Sequence, residues 1–155
     1  DYKTLIMGKY LEGISPGQEM RGDQYYILNN HKASNFPGMP EKCWMLNVGI
    51  VSHQILVEVG GWDCQFEVCP MAYNDLAIRL QRFGVEFIIQ DEIMFRCSHL
   101  PGHEGDHGPV HNGQVEHDQP LFSQIYSHHD SLHRIKIDID NWKYASSKWE
   151  RRFGK

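Results

Sequence analysis

The sequence predicts a single α/β domain built on a mixed sheet, and three observations carry that expectation. Residues 44–50, 85–89 and 93–97 are short apolar runs of strand length. Between them, Leu76, Ala77, Leu80 and Phe83 recur with helical spacing, which gives a helix an apolar face to lay on the sheet. With 155 residues, 41% hydrophobic and 23% charged, the chain can bury one core and is too short for two comfortable ones.

Residues 1–12 place Leu5, Ile6, Lys9, Tyr10 and Leu11 in roughly helical spacing before Gly13 and the breaker Ser15-Pro16-Gly17, so a helix is expected there. Residues 18–42 are polar, with a short strand at 25–28 and loop signals at Asn29-Asn30 and 35–40. A strand at 44–50 leads to Ser52, a suitable N-cap for a two-turn helix over 53–59 that Gly60-Gly61 stops. The next helix is expected to start at Asn74 or Asp75 and stop at Gly84. Residues 85–89 and 93–97 are expected as two strands, split by Gln90-Asp91-Glu92.

From 98 to 119 the chain carries Pro101, Gly102, Gly105, Gly108, Pro109 and Gly113, a density that predicts a long loop or mobile lid without helix. Residues 120–132 suit a helix, 135–139 alternate like a half-exposed strand, and the end of the chain is basic and loosely patterned.

Fifteen basic and twenty acidic side chains leave a net charge of -5, with no dense Lys/Arg run, so nucleic acid is not an expected partner. No apolar stretch spans a bilayer and residues 1–19 lack the pattern of a signal peptide. A cytoplasmic location is therefore expected, or the cytoplasmic face of a membrane if another part of the protein carries an anchor. Cys43, Cys64, Cys69 and Cys97 are too few for a disulfide scaffold and are expected as reduced, buried small hydrophobes.

Three features can carry chemistry. His99, His103, His107 and His111 recur every four residues with Glu104 and Asp106 interleaved and His117-Asp118 close behind, and imidazole with carboxylate suits a divalent cation. Gly60-Gly61-Trp62-Asp63 joins a permissive backbone to an indole able to stack on the C–H face of a sugar, or simply caps a helix before a core Trp. Asp75 lies one helical turn before Arg79, where an ordinary ion pair is the simple reading.

In order, Asn47-Val48-Gly49-Ile50-Val51-Ser52, Val59-Gly60-Gly61-Trp62-Asp63, Phe66-Glu67, Asp75-Leu76 with Arg79, Gly84 and Cys97-Ser98-His99 resemble the C-terminal, acceptor-side half of a family 2 glycosyltransferase with the GT-A fold. Cys97-Ser98-His99 is also similar to the segment of polypeptide N-acetylgalactosaminyltransferases whose histidine binds the catalytic manganese. The resemblance covers residues 47–99, about a third of the chain.

The resemblance implies a partial GT-A three-layer sandwich with a mixed sheet, and transfer of a sugar from a nucleotide-sugar donor to a carbohydrate or other hydroxyl acceptor. It implies Mn2+ or Mg2+ held by His99, and Gly61, Trp62, Asp63 and Glu67 lining the substrate pocket. His103, Asp106 and His107 would belong to the lid or to a secondary metal position. The family's upstream Asp-x-Asp is absent here, and Ala72 and Tyr73 stand where inverting members carry a Glu-Asp pair. Asp75 is then the carboxylate expected to serve the acceptor hydroxyl. Two other readings stand beside this one: a non-catalytic carbohydrate-binding remnant of the same fold, and a hydrolase using Zn2+ on the His-rich loop. An incomplete fold also exposes apolar surface, so a homo-oligomer is expected.

Overall fold

The computed structural model describes residues 2–11, 25–26, 31–32, 41–43, 46, 49–96, 108–127 and 133–137. Its hub is β1 (Thr4–Leu11), a strand where helical spacing predicted a helix. The reason is its place in the sheet. Both edges of β1 are hydrogen-bonded, with Leu5, Ile6 and Met7 each paired to β5 (Gly49–Val51) on one side and to β6 (Glu86–Arg96) on the other. Leu5 and Met7 face the core, so the period that matters is two.

β6 runs parallel to β1, whereas β5 and the short β2 (Tyr25–Tyr26) run antiparallel to it, which makes the sheet mixed as expected. A second, two-stranded ladder joins β3 (His31–Lys32) to β4 (Lys42–Cys43). The two strands expected at 85–89 and 93–97 are one: β6 continues through Gln90-Asp91-Glu92, where Gln90 and Glu92 are exposed, and the polar residues mark a shift in its register with β1, from Met7 opposite Ile89 to Lys9 opposite Ile93.

α1 (His53–Glu58) begins where expected, with Ser52 Oγ accepting from the Gln54 N–H at 3.2 Å. Gly60 and Gly61, at φ 80° and 69°, turn the chain out of it. α2 (Cys69–Arg82) starts earlier than expected because Pro70, in its first turn, lacks an N–H that no helix would use there. Leu76, Ala77 and Leu80 pack with Leu5, Met7, Leu46, Ile55, Val59 and Val85 in one buried cluster. On the other side of α2, Ile78 joins Phe66, Phe122 and Tyr126 in a second.

The segment expected as an unbroken loop is helical in its second half. α3 (Gly108–Gly113) passes into a π-helix (Gln114–Asp118) and then α4 (Gln119–Ser127). Gly108-Pro109 opens α3, where a proline costs no hydrogen bond, and Gly113 sits at its junction with the π-helix in ordinary right-handed helical geometry. Residues 98–107 lie outside the described residues.

Residues 133–137 form no strand; they cross the α1 turn, where the Ile137 N–H donates to the Val59 carbonyl at 3.1 Å. Among the described residues, helices cover one face of the sheet, and the row Ile50–Ile6–Ile88 lies on the other with Ile50 and Ile88 exposed. The result is a generic α/β arrangement. No helix among the described residues is long and apolar enough to cross a membrane.

Candidate functional site: an aromatic pocket backed by a buried charge network

The turn after α1 is held by Arg79, which is fully buried on α2. Its guanidinium donates to the carbonyls of Val59 (2.9 Å) and Gly61 (2.6 Å), groups that the end of α1 leaves without intrahelical partners. Its Nε donates to Asp75 Oδ2 at 2.8 Å, so the simple ion-pair reading of Asp75 and Arg79 is what the structure contains.

Immediately after this turn, Trp62, Asp63, Cys64, Phe66, Val68, Ala72 and Tyr73 line a pocket of about 350 Å³. Trp62 is 40% exposed and meets Tyr73 edge-on, with ring centroids 5.0 Å apart. Two aromatic rings at an open, mainly apolar pocket offer a platform for a flat C–H surface. Cys64, expected to be buried, is exposed on this wall and forms no disulfide. The side chains of the other three cysteines lie outside the description.

Asp63 and Asp75 are brought together, though not as open carboxylates. Asp63 accepts from the Gln65 N–H at 2.9 Å, from Gln65 Nε2 at 3.2 Å and from Arg134 Nη2. Asp75 Oδ1 accepts from Tyr126 Oη at 2.7 Å and Arg134 Nε at 2.9 Å. With Arg79 on Oδ2, and no exposure, Asp75 has no oxygen open to an acceptor hydroxyl. Its geometry is that of a structural anchor and departs from the role of acid or base expected for it. Burial, then the Asp75 carboxylate, pushes the Tyr126 phenol far above its ordinary range. Burial works against the Arg134 guanidinium, but Asp75 and Asp63 more than reverse it, so that cation is held more firmly than in water.

Glu67 sits between the pocket residues Phe66 and Val68. Asp118, fully buried on the π-helix, accepts from the backbone N–H of Glu67 at 2.8 Å and of Val68 at 2.9 Å. Its neighbour His117 places Nδ1 2.8 Å from Asp118 Oδ1 and Nε2 4.0 Å from Glu67 Oε1. Gly61 and Glu67, expected to line the pocket, are not among its lining residues; Gly61 precedes Trp62 in the turn, and a side chain there would meet nothing within 4 Å.

His99, His103, Asp106 and His107 lie outside the described residues. Among the described residues, no group of three or more His, Cys, Asp or Glu is arranged to hold a metal ion. Arg134 and Tyr126, which hold the pocket's back wall, were missed in the sequence; they are far from Asp75 along the chain and belong to no motif. Asp118 was visible only as a neighbour of the His-rich run, because its role depends on backbone groups that no side-chain pattern reveals. Comparison of the chain with protein-family models, curated proteins and solved structures gives no match.

Proposed function

We propose that this chain is the acceptor-side portion of a nucleotide-sugar-dependent glycosyltransferase of GT-A type, and that the pocket behind Gly60-Gly61 receives a sugar ring. The observation that carries the reading is the exposed Trp62 beside Tyr73 at the open pocket, directly after the glycine turn that the family resemblance singles out. An indole face excludes water from the C–H side of a pyranose and leaves the hydroxyls for polar groups around it. The parallel β1–β6 pair with α2 on its face supports an α/β frame of the required kind.

The reading calls for Mn2+ or Mg2+ on the donor diphosphate, with His99 as a ligand. The described residues do not fit such an ion, since Asp63 and Asp75 spend their oxygens on Arg134, Arg79, Tyr126 and Gln65. The ion belongs with His99 and with the upstream nucleotide-binding half.

A second reading, a carbohydrate-binding remnant without catalysis, is favoured by one fact: the carboxylate nearest the pocket, Asp63, is only 1% exposed. Saturation-transfer NMR with methyl glycosides, followed by titration of Trp62→Ala, tests the shared element. Saccharide protons should receive saturation, and Trp62→Ala should weaken binding about tenfold, the loss of a single stacked ring. Equal binding by Trp62→Ala would remove the pocket from the proposal. Transfer from nucleotide sugars by the full-length protein separates enzyme from remnant.

A further inference from the structure

Resting on the glycosyltransferase reading, we propose that His117 is the base that takes the proton of the acceptor hydroxyl, with Asp118 fixing its tautomer and Glu67 facing the cation that forms. The geometry begins with Asp118. It has no exposure, and both its oxygens already accept backbone N–H bonds, from Glu67 at 2.8 Å and Val68 at 2.9 Å. Oδ1 therefore meets His117 Nδ1, 2.8 Å away, as an acceptor, and Nδ1 carries the hydrogen. The lone pair of the neutral ring is left on Nε2.

Nε2 lies across from the Glu67 carboxylate. Its separation from Glu67 Oε1, 4.0 Å, is too long for a hydrogen bond, and a hydroxyl oxygen can lie within bonding distance of both atoms. The His117 side chain is 25% exposed, so an acceptor can reach it, while Glu67 is 7% exposed and shielded from bulk water. The residues flanking Glu67, Phe66 and Val68, are pocket walls, and Asp118 ties that wall to the ring.

The π-helix is what makes this possible. Its wider turn, with the Gln119 N–H reaching back to the Gln114 carbonyl, ends on Asp118, which faces inward beside a half-buried His117. This assignment also fills the gap left by Asp75, whose oxygens are all engaged.

In the step, the acceptor O–H bond breaks and its proton passes to Nε2. The freed oxygen pair bonds the anomeric carbon of the nucleotide sugar, and the carbon–oxygen bond to the diphosphate breaks with its electron pair leaving on the nucleoside diphosphate. The imidazolium is held through Nδ1–H by Asp118 and faced by Glu67, then returns its proton to water along its exposed edge.

The test uses the full-length protein with UDP-glucose, UDP-galactose, UDP-N-acetylglucosamine and GDP-mannose as donors and methyl glycosides as acceptors. His117→Asn keeps a side-chain N–H for Asp118 and so protects the fold. It should lower kcat by about 10²-fold or more with little change in acceptor KM. His117→Ala should regain activity on adding free imidazole, which a purely structural role does not predict. Independently of turnover, 15N-resolved NMR of the His117 ring should show the Nδ1–H tautomer. An Nε2–H tautomer, or an unchanged kcat in His117→Asn beside an active wild type, overturns the assignment and leaves the glycosyltransferase reading standing. A wild type that transfers no sugar from any of the donors overturns both.

Discussion

Arg134 and Asp75 are joined by a 2.9 Å bond between Nε and Oδ1, and the same guanidinium reaches Asp63 through Nη2. This cation thus bridges two carboxylates that are both almost wholly buried, Asp75 being paired with Arg79 as well. Removing it leaves two buried carboxylates to share the charge of Arg79 in a poorly solvated interior. Arg134→Ala should therefore cost about 3–5 kcal/mol of stability, the usual penalty for stranding a buried charge. Arg134→Lys should recover only part of this, because a single ammonium cannot match a fork that bonds two partners. Urea unfolding at neutral pH measures both; a loss under about 1 kcal/mol in Arg134→Ala, the scale of a surface pair, would contradict the buried network.

Tyr126 gives that network a pH signature. Its phenol is pushed up on folding by burial and by Asp75, whereas an unfolded tyrosine ionises near pH 10, as in free peptides. Above that pH the unfolded chain releases a proton that the folded chain retains. The stabilising contribution is complete below the unfolded value and is lost as pH rises toward the folded one. Stability should fall with rising pH above about 10, and Tyr126→Phe should show a shallower fall than wild type. Denaturant titrations at several alkaline pH values compare the slopes, and identical slopes would deny Tyr126 a raised pKa.

The two turn glycines should respond differently to alanine. Both have positive φ, a conformation costing an L-residue about 1–2 kcal/mol. A Cβ on Gly61 meets nothing within 4 Å, so Gly61→Ala should lose about that amount and no more. A Cβ on Gly60 collides with the backbone of Ile137, which lies over it. Gly60→Ala should lose more than Gly61→Ala, because the segment 133–137 must lift. Thermal melts of the pair decide it; equal shifts would mean that the crossing segment is not seated on Gly60.

Asp118→Asn tests the other buried carboxylate. The amide brings two N–H donors to a site where two backbone N–H groups already point inward, so one oxygen position becomes a donor facing a donor. A loss of about 2–3 kcal/mol is expected, together with release of the His117 ring. Chemical unfolding gives the first and ring 15N shifts the second. A variant as stable as wild type would show that the Glu67 and Val68 amides find partners elsewhere.

The parts of the fold that were legible in the sequence are those set by local chemistry. Ser52 caps α1, Gly60-Gly61 ends it, and Asp75 pairs with Arg79 one turn on, all within a few residues of one another. β1 was misread because its residues tolerate either period, and the choice was made by two flanking strands distant in sequence. β6 looked broken because polar residues on a solvent-facing stretch resemble a turn. At the pocket, Trp62 and Asp63 were legible as a motif, but the inward direction of Asp63 was not. It depends on Arg134, 71 positions away.

That separation has a kinetic meaning. Arg134 lies 59 positions from Asp75 and 71 from Asp63, so its bonds close some of the largest loops in the chain, and loop closure is what slows non-local contacts. Until that arginine arrives, Asp63 lacks the cation that compensates its burial and favours water, which keeps the back of the aromatic pocket unassembled. During synthesis the ribosome must release the chain past position 137 before the pocket can acquire its final shape. A nascent chain stalled earlier would carry Trp62 and Tyr73 without a fixed wall behind them, a surface better suited to chaperones than to sugars.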